Sequence, residues 1–384
     1  VTIAFKEDFG IGERAGYFES TGIVHDVLQN HMLQMFSLFA MEPPVTLRAE
    51  DVRDEKVKLL RAVQPVRPED IVVGQYVKSE SKQTGAGQKQ QNGDGNGGKD
   101  DQESSDRAAA ADAQRAEGES YRAEPGVAAD SNTPTFCALV LRVENARWSG
   151  VPFIMKCGKA LNEGKTEIRI QFKRPANSLF HDLARDELVI KVKPDDSVYL
   201  KVCSKLPGLS GPIAMTELDF TVSDRFPEAA RDTPEAYERL LWDVTLGDRS
   251  LFVRSDELMQ SWRLVAPVTA AIEAGLKAGT GADGRVELTP TGTQLGDAGT
   301  KAAGSTSGGG SVRGGNGVRP MRLYAYKRGT RGPVEADALA ARHGFETTSG
   351  MYSWVSPGER RQRAGAEKGD SGGAQGGKGG EGGK

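Results

Sequence analysis

The chain has 384 residues, with 50 lysines and arginines against 53 acidic residues and a formal net charge of −3. That balance excludes nucleic-acid or membrane association driven by bulk charge, so any electrostatic function must be local. Three cysteines, Cys137, Cys157 and Cys203, are odd in number and widely spaced, which argues against a disulfide framework or a zinc site and for reduced thiols in the cytoplasm.

Thr2 to Lys6 reads as a short strand, so the chain begins at Val1 inside an element without an initiator methionine. It is therefore expected to be part of a longer protein, whose targeting signals are not visible here; no apolar run reaches transmembrane length. A Gly-rich loop follows at 9–16. Residues 24–41 lack Gly and Pro, are rich in Leu, Met and Phe, and stop at Pro43 and Pro44, as a buried helix does. A second, amphipathic helix is expected at 51–63 and a strand at 71–77. Residues 80–126 hold no Val, Ile, Leu, Met, Phe or Trp. Such a stretch cannot offset its ordering entropy by burial, and residues 80–118 are expected to be a disordered insertion.

After a strand at 136–141 the pattern turns to period two, with Ile168, Ile170 and Phe172 alternating with Glu167, Arg169, Gln171 and Lys173. Similar strands are expected at 187–193 and 197–204, and strands in succession imply antiparallel pairing. Helices follow at 234–246, after the N-cap Ser255, and at 336–343 before Gly344. Residues 275–319 form a low-complexity insertion and 356–384 a disordered tail. The expected fold is α+β, a large mainly antiparallel sheet with helices packed on one face, in one domain covering residues 1–79 and 119–355.

Two constellations stand out. Asp26 and His31 open the apolar helix, but at 100° per residue they lie about 140° apart and do not form a pair. His31 is then either a core histidine bonded to a backbone carbonyl, with Asp26 an N-cap, or a catalytic group whose partner comes from elsewhere. Residues 156–174 carry six basic groups, Lys156, Lys159, Lys165, Arg169, Lys173 and Arg174, against Glu163 and Glu167. Lys191, Lys193 and Lys201 extend this basic face, which is either solvated or holds a phosphate. No Walker loop or metal-ligand spacing is present, and no G-x-G-x-x-G loop or nucleophile elbow joins a predicted strand to a predicted helix.

The runs Phe5-Lys6-Glu7, Arg14-Ala15-Gly16-Tyr17-Phe18, Asp26-Val27-Leu28-Gln29-Asn30-His31 and Asp51-Val52-Arg53-Asp54-Glu55-Lys56 resemble the glucose-6-phosphate dehydrogenase family. So do Gly150-Val151-Pro152-Phe153, Cys157-Gly158-Lys159-Ala160-Leu161, Ala236-Tyr237-Glu238-Arg239-Leu240, Phe252-Val253-Arg254-Ser255-Asp256-Glu257 and Gly332-Pro333. Their order and spacing make the resemblance specific across the ordered chain.

The resemblance implies that His31 is the general base, taking the C1 hydroxyl proton of glucose 6-phosphate as hydride leaves for NADP. It implies that Glu7, Asp26 and Lys159 bind the substrate, with Lys193 at a substrate position that is usually glutamine. Gly164 stands where a basic residue is usual, with Lys165 adjacent, so altered affinity rather than a different substrate is expected. It further implies a second, structural NADP site formed by Lys165, Arg169, Tyr199, Lys201, Asp219, Arg331 and Trp354. Lys156 and Lys191 stand there in place of arginines, which keeps charge but loses bidentate geometry.

In the family the dinucleotide fold, the aspartate that orients the base and an Asp-His-Tyr-Leu-Gly-Lys segment precede the position of Val1. The chain alone is accordingly expected to be inactive, and the parent enzyme to form 6-phosphogluconolactone and NADPH as a homodimer or homotetramer. The alternative is a non-catalytic NADP-binding or oligomerisation module.

Overall fold

The fold was obtained as a computed structural model, which describes residues 1–79, 118–174, 183–194, 196–208, 213–279, 287–290 and 320–346. Nearly all of the insertion expected at 80–118, most of 275–319, the tail at 356–384, and Trp354 lie outside these residues.

In chain order the elements are β1 (Thr2–Lys6), α1 (Ala15–Ile23), a π-helix (Val24–Met32), α2 (Leu33–Ala40), α3 (Ala49–Arg61), β2 (Ile71–Val77) and β3 (Phe136–Arg142). Then come β4 (Pro152–Gly158), β5 (Lys165–Gln171), β6 (Glu187–Lys193), β7 (Ser197–Lys205) and β8 (Ile213–Thr221). The last are α4 (Ala236–Leu246), α5 (Ser255–Ala278), β9 (Leu288–Pro290), β10 (Leu323–Lys327) and α6 (Val334–Arg342). The fold is α+β, a large mainly antiparallel sheet with helices packed on one face. The chain divides into two compact units, residues 1–170 with 236–346, and residues 171–235 with 347–384.

In the first unit the strand order is β5-β1-β4-β3-β2-β10-β9. β1 runs parallel to β4, with Phe5 opposite Cys157, and antiparallel to β5, with Phe5 opposite Thr166. β2 and β3 are buried on both faces over nearly their whole length, which is why they read as continuous apolar runs rather than as alternating ones. α2 packs on β4 through an edge-to-face contact of Phe36 and Phe153, with ring centroids 5.0 Å apart. The backbone turns at Gly22, where φ is +63°, so the chain leaves α1 there and re-enters helix in a different register.

Ser255 is not the N-cap expected from the sequence. It is the first residue of α5, and Arg254 occupies the cap position with no side-chain capping bond. Arg254 instead donates through Nε to Asp256 Oδ1 at 2.7 Å, and that oxygen also accepts from the first-turn Glu257 N–H at 2.9 Å.

The second unit holds the antiparallel meander β6-β7-β8. Its burial is inverted relative to the usual rule. Glu187, Val189 and Lys191, with Ser197, Tyr199 and Lys201 opposite them, form the buried face, while Val192, Val198, Leu218 and Phe220 are exposed on the other. A solvated basic face therefore does not describe Lys191 or Lys201, which are 8% and 5% exposed.

Candidate functional site

The site in the first unit is built where β1 and β4 end side by side. Glu7 N–H bonds to the Gly158 carbonyl (3.0 Å), Leu161 N–H to the Glu7 carbonyl (2.9 Å) and Ala160 N–H to the Phe9 carbonyl (2.8 Å). Lys159 is fixed from behind as well: its N–H bonds to the Thr135 carbonyl at 3.0 Å, and the buried Tyr326 hydroxyl donates to its carbonyl at 2.7 Å. With its backbone clamped on both sides, Lys159 presents its ammonium in one direction.

That ammonium lies between two carboxylates, bonded closely to Glu7 and 3.2 Å from Asp26. It also sits over the rings of Phe18 (5.3 Å to the centroid) and Phe9 (5.8 Å). A cavity of about 600 Å³ opens here, lined among others by Phe9, Arg14, Asp26, Glu124, Lys159 and Arg328. Glu7, Asp26 and Lys159, expected from the sequence to serve one substrate, are thus brought together.

His31 is placed by a feature that the 100° periodicity could not express. The segment carrying it is a π-helix, in which bonds run from i to i+5 and residues five apart occupy successive turns on one side. Leu33 N–H reaches back to the Leu28 carbonyl, the mark of this wider turn. The 140° separation inferred for Asp26 and His31 is therefore corrected: they stand one π turn apart. His31 is exposed and stacks on Phe5, with ring centroids 5.6 Å apart at 12°. Among the described residues no group hydrogen-bonds its ring, so it is not a core histidine tied to a carbonyl.

The remaining expected residues divide between the units. In the first, basic groups alternate with acids. Lys6 pairs with Glu163 at 2.7 Å, Lys165 with Glu163 (3.1 Å) and Glu167 (3.4 Å), and Arg169 with Glu167 (3.1 Å). Lys156 and Arg331 both approach Asp337, at 3.2 and 3.7 Å. Burial pulls the Lys156 ammonium down to about 8, with the Lys6 charge adding to the effect and Asp337 opposing it. Lys165, beside Gly164, is engaged by two acids, and a side chain at Gly164 would meet Asp8 Oδ1 at 3.2 Å.

In the second unit Lys201 lies 3.9 Å from Glu187 and over the Tyr199 ring, and Tyr199 faces Asp219 across β7 and β8. Lys191 lies on this same buried face, opposite Ser197, and Lys193 ends β6 exposed to solvent. Sequence reasoning missed Phe5 and Tyr326, because stacking and carbonyl capping leave no local pattern. It flagged Glu163 and Glu167 only as the two acids among bases, a charge ratio that already hinted at pairing.

Glu163 supplies a pH prediction. Burial raises its carboxyl, but Lys6 and Lys165 outweigh this and hold it down to about 2. A carboxylate depressed on folding adds stability above its unfolded value near 4.5 that is lost as pH falls towards 2. The chemical denaturation midpoint should fall through that window, and Glu163→Gln should flatten the fall; an unaltered acid limb in the variant would refute the assignment.

The model of the family described as glucose-6-phosphate dehydrogenase, C-terminal domain, matches residues 1–303. The chain is 42% identical over 364 residues to the glucose-6-phosphate 1-dehydrogenase of Dictyostelium discoideum, covering 94% of this chain and 56% of that protein. It is 48% identical over 268 residues to the enzyme of the same name from Emericella nidulans, covering 70% and 45%. A solved glucose-6-phosphate dehydrogenase, described as in complex with its substrate glucose-6-phosphate, matches at 36% identity with a TM-score of 0.64, covering 91% of this chain and 56% of that one. The chain thus spans about half the length of these relatives, and by fold and sequence it belongs to the glucose-6-phosphate dehydrogenase family, to its C-terminal domain.

Proposed function

We propose that this chain is the substrate-binding part of a glucose-6-phosphate 1-dehydrogenase that oxidises D-glucose 6-phosphate to the 6-phospho-1,5-lactone in the oxidative pentose phosphate pathway, with NADP as hydride acceptor. The observation that carries this reading is Lys159, clamped by backbone bonds and held between Glu7 and Asp26 in the wall of the cavity. Carboxylates accept hydrogen bonds from sugar hydroxyls and an ammonium donates to their oxygens, so the three groups match a polyhydroxylated ring. His31, one π turn from Asp26 and with no hydrogen bond to its ring among the described residues, can accept the C1 hydroxyl proton. NADP, when bound, supplies the acceptor for the hydride.

Lys156, Lys165, Arg169 and Arg331 are proposed as NADP-binding residues of the first unit, and Lys191, Tyr199, Lys201 and Asp219 as NADP-binding residues of the second, with Trp354 outside the described residues. In support, Lys156, Lys191 and Lys201 are buried, and ammonium groups donate charge-assisted hydrogen bonds to phosphate oxygens. The exposed apolar residues Val192, Val198, Leu218 and Phe220 support self-association through the meander, as a homodimer or higher oligomer.

In the enzyme that carries this chain, His31→Asn should lower kcat for NADPH formation by about 10²- to 10⁴-fold and leave KM for glucose 6-phosphate nearly unchanged. Steady-state kinetics decide it. A normal kcat in the variant would remove His31 from the mechanism.

A further inference from the structure

Two pairs of side chains in this region are five residues apart, Asp26 with His31 and Gln29 with Gln34. In an α-helix such pairs point about 140° apart. Under i to i+5 bonding Asp26 and His31 share a side, while Gln29 and Gln34 flank the last π turn, which closes at Leu33 where α2 begins.

α5 lies alongside and engages the second pair with residues four apart. Ser261 Oγ accepts from Gln29 Nε2 at 3.1 Å and donates to the Gln29 carbonyl at 3.2 Å. One turn back on α5, Glu257 accepts from Gln34 Nε2 at 2.7 Å, and Lys56 Nζ donates to Gln34 Oε1 at 2.6 Å. Residues i and i+4 of an α-helix present one face, about 6 Å apart along the axis. A neighbouring helix can answer both only by presenting residues 29 and 34 on one face. A π turn does this and an α turn does not.

The backbone gives an independent observation. Leu33 N–H bonds to the Leu28 carbonyl, five residues back, and α2 begins at Leu33. Where five-residue bonding gives way to four-residue bonding, one carbonyl in the ladder loses its N–H donor. Leu33 N–H is shared between the Leu28 and Asn30 carbonyls, and the Gln29 carbonyl between them takes the Ser261 hydroxyl. Ser261 is buried at 6% exposure and Glu257 at 0%, so water does not compete for these contacts.

We propose that α5 is a template for the π register: Ser261 and Glu257 hold residues 24–32 in the wide helix, and this sets His31 in line with Asp26. Ser261 and Gln29 are then positioning residues for the base, an inference that rests on the role proposed above for His31.

The test reads the register without ligand. In histidine-labelled chain, the ring proton of His31, assigned among four histidines with His31→Gln, should be displaced upfield by the stacked Phe5 ring. Ser261→Ala should abolish that displacement and Ser261→Thr, which keeps the hydroxyl, should retain it. A wild-type His31 signal in Ser261→Ala, or its loss in both variants, overturns the template. Should Ser261→Ala fail to fold, Gln34→Met removes the other anchor and carries the same expectation and the same refutation. Failure of glucose 6-phosphate to bind with the His31 signal behaving as expected counts against the proposed substrate alone.

Discussion

Replacing Lys159 with methionine is expected to weaken glucose 6-phosphate binding by about 100-fold, the loss of charge-assisted hydrogen bonds worth about 1.5–3 kcal/mol. The backbone of residue 159 should stay in place, because its N–H and carbonyl are held by Thr135 and Tyr326 and not by its own side chain. What changes is the charge between Glu7 and Asp26. Without the ammonium the two carboxylates repel across the gap. Calorimetric titration of wild type and Lys159→Met with glucose 6-phosphate measures the effect. Unchanged affinity would show that the cavity serves another ligand.

The largest stability effect is expected at Lys56. Its ammonium pairs with Glu257 at 2.7 Å, and the two side chains are 2% and 1% exposed. Gln34 bridges the pair, accepting from Lys56 and donating to Glu257, and the second oxygen of Glu257 has no hydrogen-bond partner among the described residues. Lys56→Met therefore leaves a buried carboxylate without its counter-charge, which costs about 3–5 kcal/mol. The double variant Lys56→Met/Glu257→Gln removes the stranded charge while keeping a hydrogen-bonding group for Gln34, and it should recover most of that loss. Guanidinium denaturation of the single and double variants decides between this account and a simple packing defect. In the latter case the double variant would be no more stable than the single one.

These two positions also mark how far the sequence could be read. Lys159 was legible as a candidate because its motif is contiguous, Cys157-Gly158-Lys159-Ala160-Leu161, and resemblance supplied its role. Lys56 was visible as one charge on an amphipathic helix and as the end of a resembling run, with no role attached to it. Its burial depends on Glu257, and nothing in the pattern around either residue points to the other. The basic residues after Lys156 were legible as a cluster, while their pairing with Glu163, Glu167 and Asp337 required the register of β5 and the position of α6.

The sequence by itself determined β1, β2, β3, β5, β6 and β7 and the approximate bounds of α3, α4 and α6, since the periods of 2 and 3.6 are local properties of the chain, but it left β4, β8, β9, β10 and α1 unmarked. It also determined which residue types are available for the chemistry. Tertiary structure alone decided the register of residues 24–32, because a helical run of apolar residues does not say whether its bonds reach back four residues or five. That choice is tied to contacts such as Gln29 with Ser261, which lie 232 residues apart in sequence. The same holds for the meander, where alternation defined two faces of β6, β7 and β8 but not which is buried. Burial belongs to what packs against a strand, and there the charged face, against the usual preference, is the one removed from water.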